Sequence, residues 1–548
     1  MFKPKITRIR IWSAVRGKAE QCKEVYLKIH GVNRGGFDKE MHQMSNACLF
    51  RGFLYCFLGA VFFELILSAS WRMEIWWSYL FLIGNLILFL FGYKKRKILF
   101  LFFCLLGIFL GWWLTGSELS RIYERPDQEL SGYGYIFSEP KFSAEYQQLI
   151  ICPIQAIGKD QKNKPVLVEP DCREKVIVFD DLYAKYSFGQ IVKIECQLKN
   201  PDNKHLKFNY IKFLAKDSIY QICQSAKIEK IDESKYQLAG FYRFKTFGYR
   251  LIFKLKNKLE EKVNNSFSFP ESAYLAGLLL GGEDRLPENI QESFRRTGTT
   301  HTIAVSGFNI TILASFFMGS GILIGFYRQK AFWLAMIGII FFVLMIGSPS
   351  SAVRAAIMGI LILWASKKGR LADSVQMIIL AGVLMIAVSP LIMLYDVGFQ
   401  LSFMASLSIV LIYGPLSEKF KVKNDFLELK SILLVTISAQ VGVLGILLYT
   451  FETFSPISLL ANLLILPLVP LMMLTGFLTL LIAILSPLLA SFVALPTQLA
   501  LNLEITVIEQ LSRISWASLE IGDIGVLGLI IYYLLFAGFV VFLREKIK

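Results

Sequence analysis

The strongest constraint on this chain is a recurring length. Apolar runs of roughly 18 residues or more return about a dozen times, each able to cross ~30 Å of hydrocarbon as a helix. The chain has 548 residues, 55% of them hydrophobic, and its mean hydropathy of +0.52 lies above the range of ordinary soluble domains. The expected fold is a polytopic α-helical membrane protein of about 12 transmembrane helices, with an inserted extracytoplasmic all-β (OB-like) domain. Hydrocarbon holds no water, so a polar cluster inside such runs must face protein or an aqueous cavity.

The formal net charge is +16. Basic cytoplasmic loops account for much of any such excess, and a polyanionic partner is the sharper reading. Residues 1–50 form a basic tail with no apolar stretch and cleavage site of the signal-peptide kind, and Met41 or Met44 would serve equally as a start. Residues 51–116 hold three expected spans, at 52–68, 76–93 and 98–115. Lys94-Lys95-Arg96-Lys97 lies between the second and third, and the positive-inside rule puts it in the cytoplasm. Residues 117–298 then fall on the extracytoplasmic side of the membrane, and both termini in the cytoplasm.

Residues 117–235 alternate short β-branched and aromatic runs (133–137, 148–154, 176–179, 189–198 and 219–222) with turn chemistry such as Asn200-Pro201-Asp202-Asn203, the rhythm of a small barrel or sandwich. Cys152, Cys172, Cys196 and Cys223 permit two disulfides without fixing the pairs, or remain free thiols. Residues 236–298 read as amphipathic linker helices. In the first, Arg243, Lys245, Arg250 and Lys254 interleave with Phe244, Phe247, Leu251 and Leu255, which suits a bilayer surface or a phosphate backbone. The helix at 271–280 is too short to span.

Residues 299–548 form the second membrane block, with spans at 302–326, 331–346, 352–366, 374–394, 398–413, 431–450, 457–485, 487–511 and 526–543. The seventh is overlong and carries Pro467 and Pro470, so a broken helix is expected there. Three polar interruptions fall at one end of their helices, on the side of the β domain. They are Thr299 to Asn309, Ser350 to Arg354, and Asp396 to Gln400. Thr302, Ser306 and Asn309 share a helical face, as do Ser350 with Arg354 and Asp396 with Gln400. Such stripes serve as interhelical packing or as the mouth of a conduit. Burying Arg354 and Asp396 costs about 2.5–3.5 kcal/mol each on insertion scales, so they are expected to pair, unless Arg354 meets a passing phosphate.

His301 beside Ser306 raises a nucleophile–base reading, but the two sit about 140° apart on one helix and would need a break before Gly307 to touch. The four histidines are scattered, so no metal site is expected.

At these residues the chain resembles the ComEC family of competence proteins, inner-membrane channels of natural DNA transformation. Gly298 to Asn309 is similar to that family's G-T-x-H-L-x-A-I-S-G-L-H stretch, and Ser350 to Met358 to its small-residue turn followed by R-A and M. Gly398 to Phe403 reads G-F-Q-L-S-F, while Pro456, Asn462 and Pro467 follow a looser fourth pattern. Residues 189–214 are similar to the family's extracytoplasmic OB-like domain. Asn309 departs from the family's second histidine. Many members continue into a metallo-β-lactamase-like domain with an H-x-H-x-D-H site, and this chain ends at Lys548 after a span.

The resemblance implies a channel that takes up single-stranded DNA and is no enzyme, without cofactor or metal. Its expected partners are DNA, the membrane, and separate nuclease, motor or single-strand-binding proteins. His301, Ser306, Asn309, Ser350, Arg354, Asp396, Gln400 and Asn462 are the candidate conduit-lining or structural polar residues. Arg243, Lys245, Arg250 and Lys254 are candidate DNA-backbone contacts, and Tyr133, Tyr135, Tyr146, Phe208, Tyr210 and Tyr220 candidate base-stacking residues. The competing readings are a transporter or permease for another solute, and a membrane scaffold.

Overall fold

The computed structural model describes residues 57–59, 61, 96–122, 128–142, 146–156, 166–181, 186–203, 209–231, 236–238, 240–282, 285–367, 373–420 and 429–547. The chain divides into two compact units, residues 1–116 and 117–548. In the first unit the spans expected at 52–68 and 76–93 lie almost wholly outside the described residues. Helix α1 (Arg96–Leu119) is apolar throughout its middle. Its Thr115 hydroxyl donates back to the Gly111 carbonyl at 2.7 Å, which satisfies a polar group within an apolar helix.

The second unit opens with a barrel. Its strands are β1 (Gln128–Ile136), β2 (Lys141–Phe142), β3 (Gln147–Ala156), β4 (Val166–Pro170), β5 (Lys175–Asp180), β6 (Ile191–Lys199), β7 (Ile219–Lys230) and β8 (Tyr236–Leu238), with helix α2 (Tyr210–Ala215) between β6 and β7. β1 pairs with both β6 and β3, and β7 joins β6 to β5, so five strands close in the order β1-β6-β7-β5-β3. Closure removes the open edges of the core strands, and a small five-stranded barrel is the OB-like architecture expected. Ile136, Leu149, Ile151, Val176, Val178, Val192, Ile194 and Leu198 fill it, as the alternation of inward and outward residues requires. A Cβ on Gly134 would stand 2.4 Å from Ile151 and 2.6 Å from Ile194, so only glycine lets these strands pack.

The cysteine pairing left open by the sequence resolves as Cys152–Cys172 and Cys196–Cys223, with Cα separations of 4.8 and 5.9 Å. Replacing either pair by serines is expected to lower the barrel's stability by about 2–4 kcal/mol. Non-reducing peptide mapping should recover these two linkages, and a Cys152–Cys196 bridge would contradict them.

Helix α3 (Gly240–Ser266) lies across the barrel. The Tyr135 hydroxyl and Thr246 hydroxyl share a 2.8 Å hydrogen bond, Arg250 donates to the Gly189 carbonyl at 3.0 Å, and Lys256 binds Glu139 at 2.6 Å. These residues recur at helical spacing on one face. Phe241, Phe244, Phe247, Leu251 and Leu255 form an exposed stripe elsewhere on the helix, and Val263 anchors its end in the membrane core.

The helical part comprises α4 (Glu271–Leu280), α5 (Glu288–Arg296), α6 (Thr300–Ile303), α7 (Gly307–Leu323), α8 (Arg328–Met345), α9 (Ser350–Lys367), α10 (Ser374–Val388), α11 (Ile392–Tyr395), α12 (Val397–Ser408), α13 (Gly414–Lys419), α14 (Leu429–Phe451), α15 (Ser458–Ile465), α16 (Leu468–Leu485), α17 (Pro487–Ser512) and α18 (Gly525–Ile547), with a π-helical turn, Ile409–Tyr413, joining α12 to α13. Two short strands, β9 (Thr453–Phe454) and β10 (Leu519–Glu520), pair with each other.

Among the described residues seven helical segments are long and apolar enough to cross a membrane. They account for seven of the nine spans expected beyond residue 299. The other two, α9 and α10, are apolar but shorter. The expected span at 374–394 stops at Val388 because Ser389 is extended before Pro390 (φ −145°, ψ 100°), the geometry a following proline favours. The overlong segment breaks into α15 and α16 beside Pro467. All ten residues of α4 are buried. This helix, expected within a linker, stands in the same core as α7, α8, α16 and α17.

Candidate functional site

The site grows from helix ends. Gly298 takes φ +67° and stops α5, with the Thr299 N–H donating to the Phe294 carbonyl at 2.9 Å, a glycine C-cap. The chain makes one turn as α6, then opens, with Ala304 and Ser306 extended. Helix α7 starts at Gly307.

Two polar clusters result. In the first, the Ser351 hydroxyl donates to the Val305 carbonyl at 3.0 Å, and the Ser350 hydroxyl to Asp396 at 3.4 Å. Arg354 lies with Nη2 against Gly307, 3.6 Å from where a Cβ would be, and its guanidinium lies 5.7 Å from the Phe403 ring centre. The interruptions at Ser306, Ser350 and Asp396 therefore meet, although about 40 residues separate each from the next in sequence. In the second, Gln440 donates to the Ser458 hydroxyl at 2.6 Å, next to Gly298. Asn462 is buried one turn further along α15.

The expected Arg354–Asp396 pair does not form. Asp396 instead accepts from Lys216 at 2.8 Å and caps α12 through the Phe399 N–H at 3.0 Å. A carboxylate at a helix start satisfies an orphan donor and meets the positive end of the dipole. Lys216 follows α2, whose start is capped by Asn209. Lys212, one turn earlier, donates to the Tyr395 hydroxyl at 3.0 Å, and the Ser389 hydroxyl to the Lys216 carbonyl at 3.0 Å. Three contacts thus fasten the barrel to the α10–α12 corner. The sequence reading missed Lys212 and Lys216. Their i, i+4 spacing is a signal, but their partners lie about 180 residues away.

The remaining candidates separate. His301 is exposed on α6. The chain does break before Gly307, as a His301–Ser306 contact would require, yet the Ser306 hydroxyl donates to Asn309 Oδ1 at 3.2 Å. Gln400 donates to the Met393 and Leu394 carbonyls and so holds the end of α11. On α3, Arg250 is held by barrel carbonyls. Lys245 and Lys175 each stand 4.3 Å from the Phe137 ring centre. Burial lowers the pKa of both lysines, and it raises that of Asp217 beside Lys216 and Lys175. Arg243 and Lys254 are exposed. Arg243 lines an open cleft of about 530 Å³ with Phe244, Phe247 and Tyr236. Among the aromatic candidates Tyr135 and Tyr220 are core residues, Tyr210 is half-buried, and Tyr133 and Tyr146 are exposed. Phe208 lies outside the described residues.

A bundle of apolar helices with a closed barrel fastened over a broken-helix polar cluster defines a polytopic membrane protein of composite build. Over residues 278–546 the chain is similar to the family described as Competence protein. It is 25% identical over 358 residues to ComE operon protein 3 of Bacillus subtilis (strain 168), an alignment that covers 65% of this chain and 39% of that relative. No solved structure matches the chain.

Proposed function

We propose that this protein is an inner-membrane channel for uptake of single-stranded DNA in natural transformation. One observation carries the reading: polar groups from three separate membrane helices gather beneath a barrel tied to the same corner by Lys212 and Lys216. Mere packing polarity would not require a docked external domain. The competence family and the relative's operon name support the same assignment. Two disulfides in the barrel favour an oxidising, extracytoplasmic location for it. In this reading the termini are cytoplasmic and DNA meets the barrel first, a role that the exposure of Tyr133 and Tyr146 supports. Arg243 and Lys254 flank the exposed apolar stripe of α3, which lies on the outer leaflet.

The test is entry of labelled DNA in a deletion strain. Surface binding should persist while cytoplasmic label disappears, and restoring the gene should restore entry. Normal entry in the deletion strain refutes the channel and returns the chain to the permease or scaffold readings.

A further inference from the structure

Arg354 is 8% exposed, and its Nε and Nη1 find no acceptor among the described residues. The carboxylate of its cluster, Asp396, is engaged by Lys216, the Phe399 N–H and Ser350. What Arg354 does touch is the first turn of α7, a 17-residue helix whose N-cap residue Ser306 makes no side-chain cap. A guanidinium and the positive end of a helix dipole are thus held together inside protein. Both are donors, and a buried charge without a counter-charge is costly. Asn309, 2% exposed, adds in the same turn a buried amide nitrogen without a partner among the described residues. Beside the guanidinium the wall is small, Gly307 against Ala355.

We propose that Arg354 and the first turn of α7 form a binding site for one phosphate group. Helix N-termini bind phosphate through free N–H groups, and arginine adds charge-assisted hydrogen bonds. The proposal rests on the channel reading for the source of that phosphate, a diester of the passing strand. The chemistry is shared by free phosphate and by a lipid headgroup.

The full chain, purified in a phosphate-free maltoside detergent, is titrated with a fluorescent oligothymidylate, inorganic phosphate and phosphatidylglycerol. Arg354→Gln should weaken oligothymidylate binding by roughly 10-fold or more, the loss expected for a charge-assisted contact, and reduce the salt slope by about 1. Gly307→Ala keeps the fold, since its Cβ meets only ordinary contacts of 3.5 and 3.6 Å, and should weaken binding by narrowing the approach. A strand with neutral methylphosphonate linkages should bind the parent as weakly as the diester binds Arg354→Gln. Arg354-dependent binding of phosphate or phosphatidylglycerol alone would support the site and assign it another source. A folded Arg354→Gln protein that binds all three ligands with parental affinity and salt slope overturns the site, while labelled-DNA entry decides the channel reading separately.

Discussion

Asp396→Ala should cost about 3–5 kcal/mol, the range for removing one partner of a buried ion pair. Three interactions end together: the 2.8 Å bridge to Lys216, the cap on Phe399, and the bond from Ser350. Lys216 would keep Asp217 at 3.9 Å and the Phe213 ring at 4.4 Å in place of its 2.8 Å partner. Asp396→Asn isolates the terms. Asparagine caps a helix nearly as well as aspartate, so only the charge is lost, and about half the cost should remain. Equilibrium unfolding of the purified protein in mixed detergent measures both. If the alanine variant unfolded within ~0.5 kcal/mol of the parent, a change no larger than most surface substitutions cause, the anchoring role assigned to Asp396 would be wrong.

The second large effect lies deeper in the bundle. Tyr274 on α4 donates to Glu504 on α17 at 2.6 Å, both side chains are wholly buried, and Glu504 Oε2 has no partner. Tyr274→Phe removes the carboxyl group's donor and should cost about 1–3 kcal/mol, as expected for a buried polar group left unsatisfied. Glu504→Gln keeps an oxygen for the tyrosine in a side chain of the same size, so it should stay within about 1 kcal/mol of the parent. Equal losses from the two variants would show that the carboxylate charge itself is required, contrary to this account.

Glu504 also marks the limit of what was legible. It sits inside an expected span, and the sequence reading passed over it because its partner is 230 residues away. The same holds for Lys216. The three polar interruptions, by contrast, were visible as breaks in apolar runs, and they do converge. Their pairing was not visible. Arg354 and Asp396 looked like complementary partners because both are costly in a membrane, yet the barrel supplies a competing cation for Asp396. Gln400 read as lining and proved to hold the end of α11. Broken helices were legible where proline caused them, as at Pro467. The break at 304–306 was not, since neither proline nor a run of glycines marks it.

By itself the sequence determined the membrane class, the run of apolar helices, a β domain ahead of the main bundle, and the polar stretches that interrupt the helices. Local quantities decide these: the length of an apolar run, the alternation of a strand, the density of charge. Tertiary structure alone decided which cysteines join, that the barrel closes through β1 and β3, that α4 belongs to the core, and that Asp396 serves Lys216 while Arg354 stays unpaired. Those outcomes depend on which side chains meet across long separations in chain, and no local property of the sequence encodes that meeting.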